Sequence, residues 1–334
     1  MQYTVAHTMS FVKTYWGASS ACAVGVLLGV GVAVLLSAEG TISLQNNCSH
    51  QYPLTSPSLD CDYSDNAARL RALDQSFETA TAQYIKEGRA TRISVWVRDL
   101  ESKQWAASNE RATYAPASLL KLPLMIAYYK LSEIEPALLT TELPYTATEN
   151  FDDTNQNFKP AATLVVGQSY TVEQLLEDMV VNSDNNAAVS LLSHLDPTLF
   201  NNTLIDLGIK IPQATGTIDF ITVKSYANIF RILYNASYIN RDNSQKALAL
   251  MSKSVFKGIA EPLPASATVA DKFGEREVDN QDGSVRTREL HDCGIVYGKG
   301  VNPYTICIMT EGKNFDDLLS VIHDLSKLTY QMLD

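Results

Sequence analysis

The chain has 334 residues, of which 46% are hydrophobic and 19% are charged, a composition typical of a globular protein with one large domain or two small ones. Its formal net charge is −11, and the chain contains no run of basic residues, which argues against nucleic acid as a partner. The five histidines form no pair with ligand spacing, and the five cysteines form no C-x-x-C motif. We therefore expect neither a metal site nor a cofactor.

An uncharged, apolar segment lies near the N-terminus, at residues 17–38. It is long enough to cross a bilayer as a helix. Lys13 precedes it and no basic residue follows before Arg69, so the positive-inside rule places residues 1–16 in the cytoplasm and the rest outside. We predict an uncleaved single-pass anchor and a membrane-anchored, extracytoplasmic protein. The alternative is a signal peptide and secretion, although residues 36–38 form a poor cleavage site.

The elements that follow the anchor predict an α+β domain over residues 65–334, joined to it by a polar linker, 39–64. Helical spacing predicts a first helix from Asn66 and a last one over 315–332. Alternation predicts five strands, with a mostly helical stretch between the second and the third. The predicted strands are 92–98, 103–108, 268–272, 290–297 and 304–310.

This order of elements predicts one five-stranded antiparallel sheet built from both ends of the chain and flanked by the N- and C-terminal helices. The stretch from about 118 to 254 would be inserted as an all-helical second lobe. A cleft between sheet and lobe is the natural place for a functional site.

Four cysteines have spacings that allow pairing outside the cytoplasm. Cys48 and Cys61 could close a small loop in the linker. Cys293 and Cys307 lie in two apolar runs, equidistant from the middle of the connection between them. A symmetric hairpin would place them opposite each other, either as a disulfide or as two small buried apolar side chains.

A Ser-x-x-Lys motif on a helix puts a hydroxyl and an amine on one face, within mutual reach. A buried lysine can lose its proton and then activate the serine as a nucleophile. The pattern alone is weak, because this chain contains it three times. The copies are Ser10/Lys13, Ser118/Lys121 and Ser254/Lys257.

The surroundings of the three copies favour the one that contains Ser118 and Lys121. It opens an apolar run over residues 118–129 without a single polar face, which is typical of a buried helix. Burying a lysine there without a function would be costly. The copy at Ser10 precedes the anchor, and the copy at Ser254 lies in a polar segment.

Two further motifs of polar residues follow along the chain. Ser183-Asp184-Asn185 comes after a helix whose Thr171-x-x-Gln174 start indicates a capping box. Lys272-Phe273-Gly274 continues a predicted strand. Alone, the first motif is typical of a turn and the second of a solvated strand end. Only their combination with Ser-x-x-Lys, in this order, indicates a catalytic site.

From Asn66 to its C-terminus the sequence resembles the penicillin-recognising serine hydrolases, and the class A β-lactamases in particular. Ser-x-x-Lys, Ser-Asp-Asn and Lys-Thr-Gly form the signature of that family. The resemblance implies that Ser118 is acylated and that Lys121 is its base or proton relay. It implies that Ser183 passes the proton to the leaving nitrogen, and that Asn185 holds the helical lobe and the substrate amide.

The resemblance also implies binding groups on the strand that contains Gly274. Lys272 would supply positive potential beside Ser183 and attract a substrate carboxylate. The backbone amides of Ser118 and Glu275 would form the oxyanion hole.

The sequence departs from the class A pattern at the group that activates the deacylating water. That group is the glutamate of Glu-x-x-Leu-Asn, but no glutamate occurs between Asn185 and Glu261. The segment 208–219, which stands in place of the family's loop, is short. Asp219 is the best-placed substitute, although a shorter acid in a shorter loop must still reach the water.

A second departure is Phe273, where the family has threonine or serine. That hydroxyl normally helps to bind the substrate carboxylate, so its absence argues against strong binding of standard β-lactams. Arg276, Arg286 or Arg288 could compensate.

Four functions remain open at this point. The first is a β-lactamase-like hydrolase with an altered water-activating group, and the second a D,D-peptidase or esterase acting on cell-wall peptide. The third is a catalytically silent binding module, although such a module need not retain all four side chains of the three motifs. The fourth is a thiol enzyme that uses Cys293 and His291, for which no orienting acid is evident.

Overall fold

The structure, a computed structural model, describes residues 64–146, 150–151, 156–160, 163–212, 218–280 and 285–334. The strands in this part of the chain are β1 (Arg92–Asp99), β2 (Trp105–Ser108), β3 (Glu142–Pro144), β4 (Ser169–Thr171), β5 (Thr268–Asp279), β6 (Val285–Tyr297) and β7 (Tyr304–Gly312). The helices are α1 (Ser64–Lys86), α2 (Lys121–Ser132), α3 (Val172–Val181), α4 (Asn185–His194), α5 (Pro197–Asp206), α6 (Val223–Tyr234), α7 (Arg241–Met251) and α8 (Phe315–Leu333).

The central sheet has five antiparallel strands in the order β2-β1-β7-β6-β5. The predicted fold class, with strands from both ends of the chain in one sheet, is confirmed. β5 and β6 are longer than predicted because their charged outer parts are also paired, as at the cross-strand ion pair of Glu277 with Arg288. β5 forms one edge of the sheet and therefore presents unpaired backbone groups on its free side.

The predicted helical lobe is present between β2 and β5, and side-chain caps fix where its helices begin. Thr171 starts α3 with the predicted capping box, in which its side chain accepts from Gln174 N. Asp184 caps α4 by accepting from Ala187 N at 2.7 Å. The sequence did not indicate the small sheet in which β3 pairs with β4.

Alternation along the strands divides the core into two layers. On one face of the sheet, side chains such as Trp96 and Met309 pack against the helical lobe. On the other face, side chains such as Val95 and Ile308 pack against α1 and α8. The sheet therefore has one core layer on each of its faces.

Two helices of the described part of the chain have about the length needed to cross a bilayer, but both carry charged residues. α1 has 23 residues and α8 has 19, whereas the apolar α2 has only 12. None of the described helices is both long and apolar enough to span a membrane. This finding contradicts the predicted transmembrane anchor and the membrane-anchored location. The predicted anchor, the linker and the Cys48/Cys61 pair lie outside the described residues.

Cys293 of β6 and Cys307 of β7 are direct cross-strand partners. Their sulfur atoms are bonded in the structure, and both residues are buried. Since Cys293 then carries no thiol, the arrangement argues against a thiol enzyme based on Cys293 and His291.

Candidate active site

Ser118 lies in a short 3₁₀ turn, Ala117–Leu120, directly before α2. The residue before it, Ala117, has a left-handed backbone with φ of 46°, a conformation that costs free energy in a residue with a Cβ. Ser118 itself is half-buried and lines a cleft between α2 and α4. The strained turn thus presents its hydroxyl at the cleft.

Two buried side chains from distant parts of the chain hold this turn. The Tyr226 hydroxyl of α6 donates to Leu119 O at 2.8 Å. His291 Nε2 of β6 lies 3.1 Å from Ala115 O. Both act on backbone carbonyls on either side of Ser118, and therefore fix the turn against the lobe and the sheet.

Lys121 is the residue that the Ser-x-x-Lys motif places one turn after the nucleophile. It is only 6% exposed, and its Nζ lies within hydrogen-bond distance of three acceptors in the Ser-Asp-Asn motif. The acceptors are Ser183 O at 2.5 Å, Ser183 Oγ at 3.2 Å and Asn185 Oδ1 at 2.6 Å. The first two motifs are therefore one hydrogen-bonded unit.

Lys272 reaches the same serine from β5. Its Nζ donates to Ser183 Oγ at 2.9 Å, and the side chain is buried. Burial lowers the pKa of Lys272 well below its ordinary value, and the nearby charge of Lys121 lowers it further. Ser183 has the left-handed φ of 55°, which turns its hydroxyl between the two lysines.

Two buried carboxyl groups, those of Asp271 and Asp292, lie on the opposite face of the sheet from Lys272. Asp292 Oδ2 accepts from Ile259 N at 2.8 Å. Burial raises the pKa of Asp292 to about 6 and raises that of Asp271 well above its ordinary value. Their charges favour the protonated form of Lys272 and so oppose the two effects that lower its pKa.

β5 passes close to the nucleophile turn at Gly274, where a side chain would be tightly crowded. A Cβ on Gly274 would lie 3.0 Å from Leu119 Cγ and 3.1 Å from Pro116 O. This contact places Gly274 beside the turn that contains Ser118, and Glu275 follows it in β5. That the amides of Ser118 and Glu275 form an oxyanion hole stays a prediction.

The side chain of Glu275 has a second role that the sequence did not indicate. Its carboxylate accepts from Asn157 N at 3.0 Å and from Phe158 N at 2.9 Å. The neighbouring Gln156 accepts from Asn185 Nδ2 at 3.0 Å. The segment 156–158 therefore connects the β5 edge to the Ser-Asp-Asn motif across the cleft.

A cleft of about 240 Å³ opens beside Ser118 on the side of the helical lobe. Apart from Ser118, Lys121 and Asn185, its walls are apolar. The apolar lining residues are Ala117, Leu120, Leu124, Ala188, Leu192 and Phe200. None of the described residues that line this cleft carries a carboxylate.

The predicted substitute acid, Asp219, is not among those lining residues. It lies next to the N-terminal end of β1, where its carboxylate is 3.6 Å from the Arg92 guanidinium. Its role in deacylation stays a prediction, and this ion pair does not favour it.

Phe273, which replaces the hydroxyl residue of the family, points away from the lobe into the second core layer. Its ring is buried and stacks on Phe256 at 4.1 Å. Of the three arginines that could compensate, Arg288 pairs with Glu277, Arg276 lies 3.9 Å from Glu289, and Arg286 is exposed.

The other described Ser-x-x-Lys copy differs in its surroundings. Lys257 is exposed and follows α7 in a loop, so its amine stays solvated. The copy at Ser10 lies outside the described residues. Within the described ranges, no group of three potential ligands could hold a metal ion.

Comparison with known proteins gives one family. A family model described as the beta-lactamase enzyme family matches residues 76–333. A comparison with curated proteins found no matching sequence.

Solved structures with this fold include a beta-lactamase from Burkholderia phymatum, with a TM-score of 0.64 and 18% identity over 80% of this chain and 100% of that chain. The TLA-3 extended-spectrum beta-lactamase gives a TM-score of 0.66 and 18% identity over 79% of this chain and 99% of that one. A mutant of PBP-A, solved as an acyl-enzyme complex with penicillin G, gives a TM-score of 0.64 and 18% identity over 78% and 96%. At this identity the similarity concerns the fold.

Proposed function

Because this chain belongs to the beta-lactamase enzyme family, we propose that it is a serine hydrolase that opens amide bonds through an acyl-enzyme on Ser118. The observation that carries the proposal is the buried hydrogen-bonded series Lys121–Ser183–Lys272, which lies next to the accessible Ser118. Burying two lysines around one hydroxyl costs folding free energy. We therefore expect such an arrangement where it serves a function.

The series supports a route for the proton of Ser118. Unprotonated Lys121 takes that proton while Ser118 Oγ forms a bond to the substrate carbonyl carbon. The proton then passes through Ser183 Oγ, which lies 3.2 Å from Lys121 Nζ, to the amide nitrogen as the carbon–nitrogen bond breaks. The products of this step are the acyl-enzyme and an amine, which stays attached where the amide belongs to a ring.

The turn and the sheet edge supply the stabilisation of the developing oxyanion. The amides of Ser118 and Glu275 are the two donors, and the close approach at Gly274 supports their convergence. One such donor contributes about 3 kcal/mol to lowering the barrier in well-characterised hydrolases. Since the donors belong to two rigid elements, little reorganisation is needed during the reaction.

The substrates that we propose are β-lactams or related amides, with slow release of the acyl group. Two observations support slow deacylation: the sequence has no glutamate between Asn185 and Glu261, and the described lining of the cleft beside Ser118 has no carboxylate. Without a positioned base, water attacks the ester slowly. The PBP-A mutant that shares this fold was captured as an acyl-enzyme with penicillin G.

A cell-wall D,D-peptidase or esterase is the second candidate. Phe273 favours the esterase of these two, because its buried ring supplies no hydroxyl for the carboxylate that standard β-lactams and D,D-peptides both carry. Both candidates share Ser118 and differ in the acyl group that is accepted.

Labelling of the full chain with a fluorescent penicillin tests the proposal. We expect one covalent label per chain, which is lost in Ser118→Ala and retained in Ser254→Ala. Equal labelling of wild type and Ser118→Ala would exclude Ser118 as the nucleophile.

A further inference from the structure

A second pocket, of about 350 Å³, lies between the sheet and α6, away from the cleft beside Ser118. We refer to it as the basic pocket. Its lining residues are Trp96, Arg98, Leu207, Gly208, Thr222, Lys224, Ser225, Ala227, Asn228, Arg231 and Thr305. The sheet contributes residues of β1 and β7, and β1 is three strands away from β5, or roughly 14 Å at the usual strand spacing. Its volume falls in the range of small-molecule sites.

Among the described residues, three cations and no carboxylate line this pocket. Arg98 projects from β1, and Lys224 and Arg231 lie seven residues apart on α6, on the same face of that helix. The protein as a whole is acidic, with a net charge of −11. A cavity whose described lining has three basic side chains and no acid therefore differs from the rest of the chain.

The charges of these residues are not neutralised within the part of the chain that the structure describes. The half-buried Arg98 guanidinium makes no ion pair there. Lys224 Nζ lies over two described rings, at 5.0 Å from the centre of Trp96 and 5.5 Å from that of Trp105. Arg231 Nε donates to the neutral amide of Asn228 at 2.8 Å.

The nearest acid along β1 is used elsewhere. Asp99 follows Arg98 and therefore faces the opposite side of the sheet. Its carboxylate accepts from Glu101 N at 2.8 Å, Ser102 N at 2.7 Å and Asn302 Nδ2 at 3.0 Å. It holds the β1–β2 turn and does not neutralise the positive charges of the basic pocket.

Arg98 and Arg231 repel each other at this pocket. Burial lowers the pKa of Arg98, and the charge of Arg231 lowers it further. Two guanidinium groups that face one cavity without a counter-charge reduce the stability of the free protein. The same two planar groups match the oxygen atoms of a carboxylate or a phosphate.

We propose that the basic pocket binds a small, multiply charged oxyanion, held by Arg98, Lys224 and Arg231. The chemistry fits either a phosphate group or a dicarboxylate. The bound anion supplies the negative charge that none of the described lining residues provides, and it removes the repulsion between the arginines. This site is separate from the hydrolase chemistry of Ser118.

Thermal unfolding of the full chain, at constant ionic strength in a zwitterionic buffer, tests the proposal with inorganic phosphate and, in parallel, succinate. We expect the wild-type Tm to rise along a saturating curve with at least one of the two anions. In Arg98→Gln and Arg231→Gln the apparent affinity should fall at least tenfold. Arg71→Gln, which removes an exposed arginine of α1, should behave as wild type. A saturating response to phosphate indicates a phosphate ligand, and a saturating response to succinate indicates a dicarboxylate.

The same experiment separates ligand binding from a structural role of the arginines. Without added anion, Arg98→Gln and Arg231→Gln should unfold at a Tm no lower than wild type, because repulsion is relieved. Should either variant fail to fold, Lys224→Gln, at an exposed position, carries the test and should weaken binding. The proposal is overturned if neither anion gives a saturating response, or if all variants respond equally.

Discussion

Lys272 Nζ lies 2.9 Å from Ser183 Oγ, with both residues buried. Lys121 Nζ approaches the same oxygen to 3.2 Å. Two ammonium groups at these distances repel each other in a medium that screens charge poorly, so loss of one proton from the pair is favoured. Burial and the charge of Lys121 both lower the pKa of Lys272, so the pair favours one unprotonated amine, which Ser183 Oγ links to the other lysine, while one positive charge stays beside the substrate.

Lys121→Ala should slow acylation by a penicillin about 100-fold or more, the usual effect of losing a positioned base. Lys257→Ala is the matched control, since it belongs to the exposed copy of the same motif. Acylation rates from stopped labelling reactions provide the measurement. Equal rates in the two variants would remove the reason for assigning the chemistry to this copy.

Ser183→Gly should also slow acylation by about 100-fold, because it removes the hydroxyl that relays the proton. Glycine suits the left-handed backbone at this position, so the fold should be kept. Ala236→Gly relieves the same backbone conformation, φ of 47°, in the loop after α6 and should leave acylation unchanged. A wild-type rate in Ser183→Gly would show that the proton travels by another route.

The stability of the protein should depend on Asp292 between about pH 4 and pH 6. Burial raises the folded-state pKa of this residue from 3.8 to about 6, so the folded protein holds a proton that the unfolded chain releases. The contribution to stability is present below pH 4 and is lost as the pH rises through 6.

Urea unfolding at pH 4, 5, 6 and 7 measures this dependence. Relative to wild type, Asp292→Asn should lose less stability on going from pH 4 to pH 7, because the amide does not titrate. Asp242→Asn, at an exposed position on α7, should keep the wild-type dependence. Parallel curves for wild type and Asp292→Asn would contradict the assignment.

The pairing of Cys293 with Cys307 should stabilise the sheet. They are separated by 14 residues, and closing a loop of that size stabilises a folded protein by about 3 kcal/mol in the chain-entropy account. Reductant should therefore shift the urea midpoint of the wild type downward and leave that of the double variant Cys293→Ala/Cys307→Ala in place. An equal response of the two proteins would argue for two free buried thiols.

Much of the fold followed from local pattern. Alternating side chains gave the five strands of the sheet, and the Thr171 capping box gave the start of α3. The three-residue strands β3 and β4 are too short to show a period. The outer parts of β5 and β6 were missed because charged residues there pair across strands, a contact that one strand alone does not reveal.

Ser118 and Lys121 could be chosen from the sequence because the residues next to Lys121 are apolar, a local pattern that indicates a buried lysine. The contacts that hold the nucleophile turn and the segment 156–158 in place have no such local pattern. Tyr226 is 107 residues from its acceptor and His291 is 176 residues from its own, and Glu275 binds amides 117 and 118 residues away. Such partners depend on the assembled fold.

The central claim, an acyl-enzyme on Ser118 that releases its product slowly, is tested most directly by intact-protein mass spectrometry of the full chain mixed with penicillin G and sampled over time. We predict an adduct of one penicillin per chain that persists for many minutes, maps to the peptide containing Ser118 and is absent in Ser118→Ala. An adduct that clears rapidly with turnover would contradict slow deacylation and would point to a base such as Asp219. Absence of any adduct in the wild type, with penicillin G and with a cell-wall D-alanyl peptide or thioester, would contradict the acyl-enzyme itself.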